Sequence, residues 1–233
     1  MNKAPITVNA IINGEKIQTD KKITRENPTH PEQIVGYAPN NTREETIQAI
    51  DAAYEAFKTW AWSDVEDRIA RMQRAIQKIK DATPEIAELL SREHGKALYD
   101  AQGEIAVSLM WMEFAVDNVK KVTAPEDSKH ETGRTIITHD PIGVVSAITP
   151  WNYPISLSTI KIAPALLTGN TMVLKPSPFA PLAVSRVAEI IADEFPAGVL
   201  NLVNGDAEVG IELTSNPKVA KIAFTGGTNT AKH

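Results

Sequence analysis

Apolar residues change their spacing along this chain, and the change divides it. Ala10-Ile11-Ile12 and Glu15-Lys16-Ile17 flank Asn13-Gly14, a pair that accepts positive φ at both central positions of a two-residue turn, so the pattern predicts a small hairpin. From there to about residue 122 the period is helical. Ile47, Ile50, Tyr54 and Phe57 recur at helical intervals, as do Ile69, Met72, Ile76 and Ile79. Thr42 with Glu45, and Ser63 with Glu66, fit capping boxes that would start these two helices. Thr83-Pro84 predicts the start of a third, with proline where an N–H has no helical partner, and Gly95 suits its left-handed C-terminal cap. A fourth runs from Ile105 through Leu109, Met112, Val116 and Val119. Barely two heptads is too short to favour a coiled coil over core packing, and its methionine and aromatic residues read as core.

Residues 123–133 are rich in charge and small side chains and read as a linker, after which Arg134 to His139 alternates like an exposed strand. From residue 143 short β-rich runs at 143–149, 171–175, 199–203 and 219–225 alternate with helical patterns near 155–167, 181–193 and 207–214. That alternation predicts an α/β fold with a doubly wound parallel sheet and right-handed crossovers, preceded by the N-terminal helical region. The expected organisation is a hairpin and helical part over 1–122, a bridging strand element over 123–141, and a nucleotide-binding α/β sheet over 142–233. No repeats or low-complexity tracts interrupt it.

Composition narrows the possible functions. With 42% apolar and 23% charged residues over 233 positions the chain has the make-up of a folded soluble protein. A net charge of −5 offers no broad basic surface, which disfavours nucleic acid as a principal partner. Residues 141–160 carry no charge for about a membrane span, but Pro150, Asn152 and Pro154 would leave backbone groups unsatisfied in lipid, so this run reads as a buried strand followed by a helix. The first residues lack the continuous apolar core of a secretory signal, and a cytoplasmic chain without a membrane partner is expected. There is no cysteine, which removes disulfides, thiolate metal sites and thiol nucleophiles together.

Ligands of open α/β sheets bind beyond the carboxyl ends of the strands. The turns there read Thr149-Pro150-Trp151-Asn152-Tyr153-Pro154, Lys175-Pro176-Ser177-Pro178, Asn204-Gly205-Asp206 and Gly226-Gly227-Thr228. A lysine, glycines and free helix N-terminal amides on one edge are what a dinucleotide needs for its ribose hydroxyls and pyrophosphate. Neither the glycine fingerprint of standard dinucleotide folds nor a P-loop occurs. His30, His94, His130, His139 and His233 show no metal or triad spacing and read as surface or capping residues.

The runs Pro141-Ile142-Gly143-Val144-Val145, Ile148 through Pro154, Lys161 through Leu166, Gly169-Asn170-Thr171, Leu174-Lys175-Pro176-Ser177 and Phe224-Thr225-Gly226 resemble aldehyde dehydrogenases in order and spacing over essentially the whole chain. The resemblance implies a pyridine dinucleotide cofactor, NAD or NADP, a small-molecule aldehyde substrate and a homo-oligomer. It implies a cofactor site at Ile148, Thr149, Pro150, Trp151, Lys175, Ser177, Pro178, Gly205, Phe224, Thr225, Gly226 and Gly227, and it puts Lys161 near the active site.

In the family's mechanism a cysteine thiolate attacks the aldehyde, hydride passes to the nicotinamide, and a glutamate-activated water releases the acid. Asn152 matches the asparagine whose amide N–H holds the oxyanion; a neutral donor after a strand stabilises negative charge without titrating. By its residues alone, Asn152 reads as ordering a proline-flanked turn, and it is the resemblance that gives it the oxyanion role; Lys175 is matched to the ribose-binding lysine in preference to a solvated strand end.

Three departures from the family pattern stand out. Pro178 replaces a glutamate of many NAD-preferring members, removing a carboxylate that would repel a 2′-phosphate, so NADP is expected to be tolerated. Gly227 replaces a serine that faces the pyrophosphate, leaving backbone amides alone. Ala231 replaces a helix glycine. The cysteine and glutamate would lie in the part of such enzymes after residue 233, so this chain is expected to be an N-terminal piece without turnover, with a non-catalytic nucleotide-binding or interaction module as the alternative. If the sheet stops at 219–225, that strand becomes an edge that recruits other chains.

Overall fold

A computed structural model describes residues 3–232. In chain order the first half comprises β1 (Ile6–Thr7), β2 (Ala10–Ile12), β3 (Glu15–Ile17), β4 (Lys22–Asn27), β5 (His30–Pro39), α1 (Arg43–Trp60), α2 (Val65–Asp81), α3 (Thr83–His94) and α4 (Leu98–Thr123). The second comprises β6 (Glu126–His130), β7 (Gly133–Ile137), β8 (Val144–Ile148), α5 (Pro154–Leu167), β9 (Thr171–Lys175), α6 (Pro181–Ile191), β10 (Leu200–Leu202), α7 (Ala207–Ser215) and β11 (Val219–Phe224). No helix among the described residues is long and apolar enough to cross a membrane.

A six-stranded sheet in the order β11-β8-β9-β10-β2-β3 carries the fold, its first four strands parallel and the last two joining antiparallel. Alternate residues of its central strands face two helical layers. Val144, Val173 and Val203 pack with Ala49, Ile50 and Ala53 of α1 and Val209 and Leu213 of α7. Val145, Ala147, Met172 and Leu174 pack into the larger core with Ile155, Ile162 and Leu166 of α5 and Leu182 and Ile191 of α6, backed by α2, α3 and α4. Burial on both faces is why these strands read as continuous apolar runs. The sheet is doubly wound, as the alternation predicts, and the four parallel strands fall within the expected ranges.

The hairpin forms with Asn13 at φ 54 and Gly14 at φ 78. It is not a free ribbon, because Ile11 pairs with Leu202 and extends the sheet. Thr42 and Glu45 make the expected capping box, and Gly95 ends α3 at φ 79. Trp60 Nε1 and Arg68 Nε donate to the Leu166 and Leu167 carbonyls at 3.2 and 2.8 Å, closing the C-terminus of α5.

Several expectations are corrected. Asp64, not Ser63, caps α2 by accepting from Glu66 N–H, while Ser63 donates to the Trp60 carbonyl. On α1 the buried face runs through Thr46, Ala49, Ile50 and Ala53, and Tyr54 is exposed, because small residues let the helix lie close on the sheet. Met110, Trp111 and Phe114 of α4 are exposed rather than core, since Ile105, Met112, Val116 and Val119 already fill the face turned inward. The linker at 123–133 is instead the end of α4 followed by β6, which pairs with β7 in a fully exposed two-stranded ribbon. A second sheet, β1-β5-β4, had no expectation at all.

Candidate functional site

The order of the parallel strands reverses between β8 and β11: β9 and β10 add on one side of β8, and β11 returns to the other. Such a reversal opens a crevice at the carboxyl ends of the strands. Register brings those ends level. Ile148 lies opposite Lys175 on one side and Phe224 on the other. Thr149 N–H donates to the Lys175 carbonyl at 3.1 Å and Thr225 N–H to the Ile148 carbonyl at 3.0 Å, so the exits from three strands are tied together. Val203 N–H, donating to the Leu174 carbonyl at 3.0 Å, holds the fourth.

The turns after these strands share one edge. Thr149 is buried, its hydroxyl 3.1 Å from Ser158 Oγ, whereas Trp151 is exposed. Ser177 and Pro178, half-buried, lead from β9 towards α6. Gly205 follows β10 at φ 152; an added Cβ would meet Val209 Cγ2 at 2.5 Å, so the chain passes there only as glycine. At Gly226 a Cβ would lie 2.5 Å from the tip of the Phe224 ring, which would have to move aside, while beside Gly227 there is open space. From α5, Lys161 Nζ reaches across to donate to Thr225 Oγ1 at 2.6 Å and to the Leu157 carbonyl at 3.1 Å, and its partial burial lowers its pKa.

Lys175 is the most unusual group on the edge. Its side chain is buried, with 6% of the residue exposed, and among the described residues Nζ finds one distant acceptor, the Pro176 carbonyl at 3.4 Å. Burial pushes the ammonium down to about 8, opposed by the negative charge of Asp206 after β10. An ammonium carries three donors, so most of its hydrogen-bonding capacity is unused.

The expectation of free helix N-termini is corrected for two of the helices. Ile155 and Ser156 at the start of α5 donate to Glu104 Oε1 at 2.8 and 3.2 Å, and Leu182 and Ala183 at the start of α6 donate to the two oxygens of Glu93 at 2.6 and 3.0 Å. Both carboxylates are buried, and burial raises Glu93 to about 7 against the pull of those amides and of Arg25. An anion therefore meets occupied amides at α5 and α6, whereas α7 starts without a side-chain cap hydrogen bond and the turn after β11 runs through Gly226-Gly227.

Sequence reasoning missed Glu93 of α3, Glu104 of α4 and Lys96 of the turn between them, which act on the edge. It also missed Asn41, which accepts from Asn204 N–H at 2.8 Å and donates its own N–H to the Asn204 carbonyl at 2.9 Å, fixing the turn before Gly205. His94 is not a surface residue: its ring nitrogens are buried and the ring lies 5.8 Å from that of Trp151. His30, His130 and His139 are exposed, and His233 lies outside the described residues.

Residues 16–233 match the sequence model described as the aldehyde dehydrogenase family. The glutarate-semialdehyde dehydrogenase of Pseudomonas putida is 38% identical over 96% of this chain and 47% of its own length. The NADP(+) succinate-semialdehyde dehydrogenase of Escherichia coli is 37% identical over 96% of this chain and 47% of its own length. Among solved structures, an NADP-dependent enzyme of E. coli superposes with a TM-score of 0.92 at 35% identity, covering 97% of this chain and 48% of that one. The NADP-dependent glyceraldehyde-3-phosphate dehydrogenase of Bacillus halodurans, solved with NADP, gives 0.92 at 30% identity, covering 97% and 50%. The chain thus spans about half the length of the relatives it matches.

Proposed function

Since the chain belongs to the aldehyde dehydrogenase family, we propose that its sheet edge is the NAD(P) cradle of an aldehyde-oxidising enzyme. The observation that carries this reading is Lys175, a buried ammonium with unused donors at the level where four strands end. Ribose hydroxyls are neutral acceptors that fit it. In this reading Lys175 and Ser177 take the adenosine ribose, with Pro178 beside its 2′ position, where no carboxylate repels a phosphate and NADP is accepted. Gly226 and Gly227 offer main-chain amides to the pyrophosphate, Phe224 and Thr225 line the same turn, and Gly205 lets the neighbouring turn pass close by. Ile148, Thr149, Pro150 and Trp151 wall the crevice towards the nicotinamide. A nicotinamide held there would supply a hydride acceptor once a nucleophile has added to the aldehyde carbon, and Asn152 would donate its side-chain N–H to the substrate oxygen on which that addition places negative charge.

This 233-residue polypeptide has no thiol, so alone it binds the cofactor without oxidising aldehydes and acts as a nucleotide-binding module. The division into helical part, bridging ribbon and α/β sheet is part of the same proposal, as are the cytoplasmic setting and association into homo-oligomers through the exposed ribbon, where Ile136 and Ile137 face solvent. Calorimetric titration with NADP and NAD tests the reading. Binding of NADP, weakened at least tenfold in Lys175→Met, is expected. Equal affinity of the two proteins, or no heat with either cofactor at millimolar concentration, refutes it.

A further inference from the structure

Asn152 is exposed, and the hydrogen bond it makes among the described residues runs through its main-chain carbonyl. Where its carboxamide points is therefore decided by the backbone of the turn. We propose that the buried Lys96–Glu104 ion pair fixes that turn and makes both residues positioning residues for Asn152; the proposal rests on the oxyanion role given to Asn152 above.

The turn has little of its own to hold it. Tyr153 occupies the cap position of α5 and makes no side-chain cap hydrogen bond. Glu104, from α4, supplies the cap instead: its side chain is fully buried, and one oxygen accepts from both Ile155 and Ser156 N–H. The other oxygen pairs with Lys96 Nζ. That same ammonium donates to the Asn152 carbonyl at 3.2 Å and lies 4.3 Å from the centre of the Tyr153 ring. One ion pair thus grips the turn on the carbonyl side of Asn152 and on the amide side of α5.

Chain geometry explains how Lys96 arrives there. Gly95 turns the chain out of α3 in the left-handed region at φ 79, and Lys96 follows it directly. Ser108 Oγ, 3.0 Å from Ser156 Oγ and bonded to the Glu104 carbonyl, ties α4 to α5 a second time. A buried carboxylate with a counter-charge and two amides is stable; without the counter-charge it is not. A helix cap alone would require only Glu104. The reach of Lys96 to the residue two positions before α5 singles out the Asn152 turn.

Nuclear magnetic resonance on the 233-residue chain tests this. In Lys96→Met the Asn152 carbonyl carbon signal moves upfield, its χ1 couplings average over rotamers, and the Ile155 and Ser156 amides exchange at least tenfold faster. Lys96→Arg, which keeps the charge and a donor, restores all three. Thr42→Ala weakens the distant α1 cap and is expected to leave Asn152 unmoved, which separates positioning from general loosening. Unchanged Asn152 signals in Lys96→Met overturn the proposal, as does an equal shift in Thr42→Ala. Should Lys96→Met not fold, Lys96→Met/Glu104→Gln removes both charges and is read in the same way. These readouts involve neither cofactor nor aldehyde, so failure of cofactor binding and failure of this proposal are separate results.

Discussion

Replacing Lys175 with methionine keeps an unbranched stem in a buried slot and removes the charge. The folded chain lowers this ammonium from an ordinary 10.5 to about 8, which corresponds to about 3 kcal/mol at ~1.4 kcal/mol per tenfold change in proton affinity. Above pH 10.5 the amine is neutral in folded and unfolded chains alike, and no cost arises. As pH falls from 10.5 to 8 the unfolded chain takes up a proton that the folded chain refuses, so stability drops; below 8 both are protonated and the cost stays constant. Lys175→Met is therefore expected to be more stable than the parent by about 2–3 kcal/mol at pH 7, with the gap shrinking towards pH 10. Urea titrations at the two pH values measure it, and comparison of the two proteins cancels the other lysines. A variant no more stable at neutral pH, or a gap that ignores pH, would refute the reasoning. The expected outcome couples stability to function: the substitution that relieves the fold is the one that weakens NADP binding.

Other consequences are checked in the same way. Gly205→Ala forces a Cβ against Val209 at a positive φ and should cost about 1–3 kcal/mol in urea unfolding. Trp60→Phe removes the 3.2 Å indole donor from the Leu166 carbonyl, which keeps Gly169 N–H at 3.1 Å, and should cost about 0.5–1.5 kcal/mol, seen as a lowered melting temperature. Among the described residues β11 is an edge strand pairing with β8 alone, and Ile222 on it is 46% exposed, so the isolated chain should associate with rising concentration in light scattering. Ile222→Lys should suppress that association, and a chain that stays monodisperse before substitution contradicts it.

Strands β8, β9 and β10 were legible because each is buried and reads as a short apolar run between helical patterns, so 171–175 is bounded by its residues alone, whereas β11, largely exposed, was legible from its place in the alternation. Turn and cap chemistry is local and was equally visible at Asn13-Gly14, Thr42 and Gly95. The β4–β5 pairing was hidden because its alternation is broken by Pro31 and Gly36 and by register shifts beside Glu26. Around the candidate site the strand-end residues declared themselves by position, but the groups acting on them did not. Glu104 and Lys96 lie about fifty residues before the turn they hold, and Asn41 lies 163 residues from Asn204. A buried Glu on an amphipathic helix has the same local pattern as an exposed one; only the tertiary fold tells them apart. The same limit hid the occupation of the α5 and α6 N-termini, which leaves them out of the expected anion contact.

On the proposed reading the carboxyl edge of β8, β9, β10 and β11 binds a pyridine dinucleotide. Its most direct test is backbone amide shift mapping of the 233-residue chain during titration with NADP. Perturbations concentrated at Ile148–Trp151, Lys175, Ser177, Gly205 and Phe224–Gly227, saturating together and absent around β6 and β7, are the expected result. Shifts spread evenly over the surface, or centred away from that edge, would contradict the account.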